Sequence, residues 1–102
     1  MYDLKRQPTH LGVILRDEFI SPLGLTQAEV AKSLKTTSVA LNEIIHGKRN
    51  VSADMALRLA RFFDTSEEIW LNLQDQYDLY KARERNKDLI SEIKPYRETA
   101  KT

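Results

Sequence analysis

The side chains that could carry chemistry in this chain are typical of nucleic-acid contact rather than of catalysis. The two histidines, His10 and His46, lie far apart, and there is no cysteine, so disulfides, cysteine zinc sites and thiol chemistry are excluded. The sequence has no nucleophile elbow and no zinc-binding H-E-x-x-H motif. We therefore expect no enzyme activity, no cofactor and no metal site.

A segment around residues 26–46 carries side chains that suit DNA. Two short helical patterns are joined there by a tight turn at Lys35-Thr36-Thr37, as in a helix-turn-helix motif. The outer face of the second helix holds few bulky side chains and can approach base edges in a major groove about 12 Å wide. The residues on that face are Ser38, Val39, Asn42 and Glu43.

Three further residues around the motif could contact the DNA backbone. Gln27 lies in the first turn of the first helix, where backbone N–H groups and a neutral amide can bind a phosphate. Lys48 and Arg49 follow the end of the second helix and could reach the sugar-phosphate chain. The alternative for all of these residues is an ordinary solvated surface.

Five helices must position these residues, because apolar side chains recur at helical spacing and no strand-like alternation is present. The second helix has a predicted capping box, and Gly47 suits the left-handed position after the third. The first helix should stop before Ser21, and Pro95 should end the last helical segment. The predicted first residues or caps are Thr9, Thr26, Thr37, Ser52 and Ser66.

Four segments carry a family resemblance: P-T-H-L-G-V-I-L-R-D-E-F at 8–19, P-L-G-L-T-Q-A-E-V-A at 22–31, H-G-K-R-N-V-S-A-D-M-A-L-R-L-A at 46–60 and T-S-E-E-I-W-L-N-L-Q-D-Q-Y-D-L at 65–79. Through them, residues 8–80 resemble the HigA-type antitoxins, also called the VapI or plasmid-maintenance antidote group, of the XRE class. The resemblance implies an all-α, five-helix, lambda-repressor-like helix-turn-helix domain with an extended C-terminal helix.

The same resemblance implies a function. Such a protein is cytoplasmic, binds double-stranded DNA at its own promoter, represses its own operon as a homodimer, and neutralises a HigB-type toxin, a RelE-like mRNA endonuclease. A stand-alone XRE-type transcriptional regulator without a toxin partner shares the same DNA-binding residues and stays the alternative. The residues implied to face bases are Ser38, Val39, Asn42 and Glu43. The residues implied to contact phosphates are Gln27, Thr37, Lys48 and Arg49.

Three positions depart from the family pattern. Leu11 replaces a usual proline, Lys35 replaces a usual glycine in the turn, and His46 replaces a usual asparagine before the glycine. If the turn needs a positive φ at Lys35, the lysine costs about 1 kcal/mol, which a folded domain tolerates. These departures affect details of the turns and leave the predicted fold unchanged.

The net charge of +1, from 16 Lys+Arg and 15 Asp+Glu, is low for a nucleic-acid-binding protein. Residues 1–65 hold nine bases and seven acids, and residues 66–102 hold seven bases and eight acids. A weakly basic subunit predicts weak binding alone, and therefore a dimer that contacts two half-sites about 34 Å apart.

The fifth helix is the predicted dimer interface. Its apolar stripe follows the spacing i, i+3, i+7, i+10, close to a short coiled-coil seam, with an intramolecular core as the alternative. The sequence thus divides into a domain at 1–80, which includes the dimerising helix from 66, and a charged helical extension and tail at 81–102. That extension could be a solvated face or part of a toxin-binding surface. No apolar run approaches a membrane span. The predicted interface residues are Trp70, Leu73, Tyr77 and Tyr80.

Overall fold

The computed structural model describes residues 7–96, and within that range it contains helices and no strand. This confirms the all-α prediction. Residues 97–102, the end of the predicted C-terminal tail, lie outside the described range.

The first helix, α1 (residues 11–23), is continuous but changes type along its length. It is α-helical over Leu11–Ile14, π-helical over Leu15–Ile20 and 3-10 helical over Ser21–Leu23. Its N-cap is His10 rather than the predicted Thr9, because Nδ1 of His10 accepts the N–H of Gly12 at 2.8 Å. The helix also continues past Ser21 as a single 3-10 turn, which the N–H of Gly24 closes by donating to the carbonyl oxygen of Ser21 at 3.0 Å, so the turn needs no N–H from Pro22.

The helix-turn-helix unit consists of α2 (Gln27–Ser33) and α3 (Ser38–Ile45). The predicted capping box of α2 is confirmed: Thr26 Oγ1 accepts the N–H of Glu29 at 3.1 Å, and Glu29 Oε1 accepts the N–H of Thr26 at 2.8 Å. In the turn, Lys35 has a φ of 60°, so it does take the left-handed conformation that glycine favours. Arg58 stabilises this turn by donating to the carbonyl oxygen of Lys35 at 2.8 Å.

Three helices follow: α4 (Ala53–Phe63), α5 (Glu67–Arg85) and α6 (Lys87–Glu92). Ser52 caps α4 as predicted, with Oγ accepting the N–H of Met55 at 3.1 Å. The extended C-terminal helix of the prediction is interrupted at Asn86, whose backbone leaves the helical region with a φ of −116°. Its side-chain Nδ2 donates to the carbonyl of Ala82, which ends α5.

One hydrophobic core receives side chains from α1 to α5. Trp70 is completely buried in it, and its indole N–H donates to Oγ1 of Thr65 at 2.8 Å. Gly12 lies where α1 crosses the end of α3 so closely that a Cβ there would overlap the carbonyl oxygen of Ile45. The core therefore fixes the orientation of α3 through both side-chain packing and direct backbone approach.

The molecule is elongated, with extents of 61, 27 and 22 Å. Helix α6 and the residue that follows it contribute exposed apolar side chains, with Leu89 at 58% and Ile93 at 63% exposure. Between residues 7 and 96, no helix is both long enough and apolar enough to cross a membrane.

Candidate nucleic-acid interface

The structure brings most of the predicted DNA-contact residues to one open depression. It lies between the start of α2, the outward face of α3 and the turn that follows α3. Of the eight predicted residues, only Thr37 and Arg49 are absent from its lining. The lining residues are Gln27, Ser38, Val39, Asn42, Glu43 and Lys48.

The exposed face of α3 follows from how the helix is held. Leu41, Ile44 and Ile45 are buried and attach α3 to the core. At the start of α3, Thr37 Oγ1 accepts the N–H of Ala40 at 3.0 Å, and its hydroxyl proton can still donate to a phosphate. The opposite face is open, and Val39 is 67% exposed. Helix α3 can therefore enter a groove without rearrangement.

An ion pair that was not predicted from the sequence joins α3 to the turn after it. Arg49 Nε and Nη2 lie 2.8 and 2.7 Å from Oε1 of Glu43, so both of these groups contact one carboxylate oxygen. The backbone N–H groups of Lys48 and Arg49 also donate to the carbonyl oxygen of Glu43, at 2.8 and 3.2 Å. Gly47 permits this turn, with the predicted positive φ of 75°. Arg49 is therefore held by an acid, while Lys48 points to the depression.

Two residues outside the predicted set connect this region to α1 and α5. The amide of Gln74 accepts the N–H of Val51 and donates to its carbonyl oxygen at 3.0 Å, which ties the α3–α4 loop to α5. The ring of His10 packs edge-on to Tyr77 with centroids 4.7 Å apart and also lies against Gly47. Gln74 is four residues after Trp70 and therefore lies on the same face of α5. This spacing was the one feature of the sequence that could have indicated a contact by Gln74.

The predicted dimer residues divide into two groups. Trp70 has no exposed surface, so it cannot contact a second copy, and the intramolecular alternative holds for it; this corrects the prediction. Tyr77 is half-buried against His10 of its own chain. Leu73 packs partly against the core of its own chain, and Tyr80 is also half-buried; both keep accessible surface on α5. The dimer role of Leu73, Tyr77 and Tyr80 stays a prediction.

The ionisable groups elsewhere in residues 7–96 form one shifted pair on α1 and no metal-type cluster. Across residues 7–96 there is no group of three His, Asp or Glu side chains placed to hold a metal ion. On α1, a side-chain hydrogen bond from Arg16 lowers the pKa of Asp17, and the same hydrogen bond raises the pKa of Arg16. Both groups are exposed, so this pair belongs to the surface of α1.

A family model and individual relatives both place this chain among helix-turn-helix proteins. A family model described as "Helix-turn-helix" matches residues 15–70. Virulence-associated protein I of Dichelobacter nodosus is 43% identical over 86 residues, which cover 84% of this chain and 79% of that protein. Antitoxin HigA-1 of Vibrio cholerae is 30% identical over 95 residues, covering 93% of this chain and 90% of that protein.

A solved structure of similar shape was determined with DNA. The Pseudomonas aeruginosa antitoxin HigA with the higBA promoter has 44% sequence identity to this chain and a TM-score of 0.82, covering 88% of this chain and 99% of that one. The chain therefore belongs to the helix-turn-helix family, in the group of the HigA-type antitoxins and VapI.

Proposed function

We propose that this chain is a sequence-specific DNA-binding antitoxin that represses its own operon as a dimer and neutralises a HigB-type toxin. The observation that carries the proposal is the open depression on α3, in which six of the predicted contact side chains lie together. The similar Pseudomonas aeruginosa structure, an antitoxin with a promoter, supports the same use of the fold.

The side chains on α3 offer distinct base contacts. The amide of Asn42 can donate to and accept from the edge of an adenine, and the methyl groups of Val39 can contact a thymine methyl. Ser38 can donate or accept a hydrogen bond, while Gln27 and Lys48 lie at the edges for phosphates. Glu43 can accept from a cytosine amine, but its carboxylate already contacts Arg49.

Dimerisation completes this proposal, because a subunit with a net charge of +1 gains little from phosphate attraction alone. The accessible surface of Leu73, Tyr77 and Tyr80 on α5 offers the contact between copies. Two subunits double the number of base contacts and place them on half-sites that share the symmetry of the protein.

The antitoxin role is tested with the neighbouring reading frame. We expect expression of that frame alone to stop growth, and co-expression of this chain to restore it. The chain should also bind its own promoter in a fluorescence anisotropy titration. A harmless neighbouring frame together with promoter binding would instead support a stand-alone regulator, and absence of promoter binding would contradict the DNA-binding role.

The ion pair between Glu43 and Arg49 leads to a prediction about salt dependence. Changing Glu43 to glutamine should release Arg49 for a phosphate contact, so the slope of log affinity against log salt on a random duplex should steepen by about one. Asp78→Asn is the matched control, since it removes an equal charge from an exposed residue of α5. Equal slopes in the two variants would show that only net charge matters.

A further inference from the structure

The imidazole of His46 lies at the far end of the outward face of α3. His46 is the exposed C-cap residue of the helix, and it follows Val39 by seven residues, which is two helical turns. The two side chains therefore leave α3 in nearly the same direction. At 1.5 Å per residue, His46 lies about 12 Å along the helix from Ser38, which is about the width of a major groove. When α3 enters a groove at Ser38, His46 is at the edge of that groove, beside the DNA backbone.

A hydrogen bond to the helix fixes which ring nitrogen of neutral His46 carries the hydrogen. Nδ1 of His46 lies 2.9 Å from the carbonyl oxygen of Asn42. A carbonyl oxygen can only accept, so Nδ1 carries the hydrogen and Nε2 of the neutral ring presents a lone pair. A phosphate oxygen cannot bond to that lone pair. Protonation adds an N–H group at Nε2 and keeps the bond to Asn42, so only the charged ring can donate to a phosphate.

His10, the second histidine of the chain, has the opposite arrangement. Its Nδ1 accepts the N–H of Gly12 at 2.8 Å, so the neutral ring carries its hydrogen on Nε2. Protonation would turn Nδ1 of His10 into a donor and remove the cap of α1. Of the two histidines, only His46 can therefore gain a proton without losing a hydrogen bond that the fold uses.

The groups that face His46 from other helices provide no carboxylate for a charged ring. His46 borders an open pocket between the start of α1, the end of α3 and α5, and no acid of the described residues lines it. The other titratable or charged residues in the lining are His10 at the N-cap of α1, Arg16 on α1 and Tyr77 on α5. Nε of Arg16 lies 2.8 Å from Oδ1 of its neighbour Asp17, so this base and this acid satisfy each other.

The turn after α3 also offers no free acid to His46. Lys48 in that turn is a base, and the carboxylate of Glu43 is already in contact with Arg49. Within residues 7–96, a protonated His46 therefore faces no unpaired carboxylate of its own chain. An anion from outside the chain is needed to favour the charged ring, and the phosphates at the edge of a DNA groove are such anions.

We propose that His46 contacts a DNA phosphate only in its protonated form, so that the chain takes up protons when it binds its promoter. This rests on the DNA binding of the proposed function and adds a dependence on pH to it. Because the phosphate favours the charged ring, the affinity for the promoter should rise as the pH falls through the range in which an imidazole gains its proton. The gain should vanish as the pH rises above that range. A dimer carries two such rings, so their effects on the binding free energy add.

Anisotropy titrations with promoter DNA at about pH 5.5 and about pH 8, each at several salt concentrations, test this proposal over the range in which a histidine titrates. For the natural chain, we expect the slope of log affinity against log salt to be steeper at the lower pH by about one per subunit. The affinity at low salt should rise by about tenfold or more between the two pH values. In His46→Asn the slope should be equal at both pH values, and in His46→Lys it should be steep at both.

His10→Asn is the matched control, because asparagine is itself a favoured N-cap and does not titrate. This variant should keep the difference in slope between the two pH values. The proposal is overturned if the natural chain has equal slopes, if His46→Asn keeps the difference, or if His10→Asn loses it. Promoter binding without these effects leaves the proposed function standing. Absence of promoter binding at every pH and salt concentration contradicts the proposed function as well.

Discussion

Replacing Asn42 and Ser38 together by alanine is expected to lower the affinity of the chain for its own promoter by about 100-fold or more. The bidentate contact that Asn42 can make with an adenine contributes about 1 to 3 kcal/mol, and a single hydrogen bond from Ser38 about 0.5 to 1.5 kcal/mol. Both side chains line the depression on the outward face of α3. Neither side chain caps a helix or packs in the core, so the fold should be unaffected.

Fluorescence anisotropy with promoter DNA measures this effect, and light scattering checks that the dimer mass is unchanged. The matched control changes the same two residue types on other surfaces, with Ser33→Ala on α2 and Asn72→Ala on α5, both exposed. The control should bind the promoter as the natural chain does. Full affinity in the Asn42 and Ser38 variant would mean that another surface contacts the bases.

Changing Gly12 to alanine is expected to destabilise the fold by about 3 kcal/mol, the upper part of the range for overpacking. The reason is that the new Cβ would overlap a backbone atom, the carbonyl oxygen of Ile45, which no side-chain rotation can move. Separation of α1 from α3 would follow. The midpoint of thermal unfolding should fall by about 12 °C or more in a domain of this size.

Gly24→Ala serves as the control for this change. At Gly24 the φ is 69°, but nothing lies within 4 Å of an added Cβ. Only the cost of a left-handed alanine then applies, about 1 kcal/mol. In circular dichroism melts, the midpoint of thermal unfolding of Gly12→Ala should therefore lie well below that of Gly24→Ala. The opposite order would contradict the close approach of α1 and α3.

Local features of the fold could be predicted from the sequence because neighbouring residues cause them. The hydroxyl of Thr26 and the carboxylate of Glu29 can reach each other's backbone N–H groups only in a helix start, so their spacing indicates one. The positive φ of Gly47 follows from the end of a helix in the same way. His10 was missed as a cap because histidine is not among the residues favoured there.

Contacts between distant parts of the chain were not predictable in this way. The carboxylate of Glu43 meets Arg49 only because Gly47 turns the chain back on α3. The bond between Gln74 and Val51 joins residues 23 positions apart and depends on how α5 packs. An apolar stripe such as that of Trp70 shows that a surface is covered, but its spacing is the same whether the cover is the same chain or another.

The two hydrogen bonds between Gln74 and Val51 have a consequence for the operator that a dimer can accept. They fasten the loop after α3, the helix proposed to contact bases, to α5, the helix proposed to join the two subunits. In the proposed dimer, these bonds in each subunit therefore hold the two copies of α3 at a fixed separation. One added base pair between half-sites rotates one of them by about 35° around the DNA axis. Because the dimer does not change the separation of its two α3 helices, the DNA must twist and bend to bring both half-sites into contact.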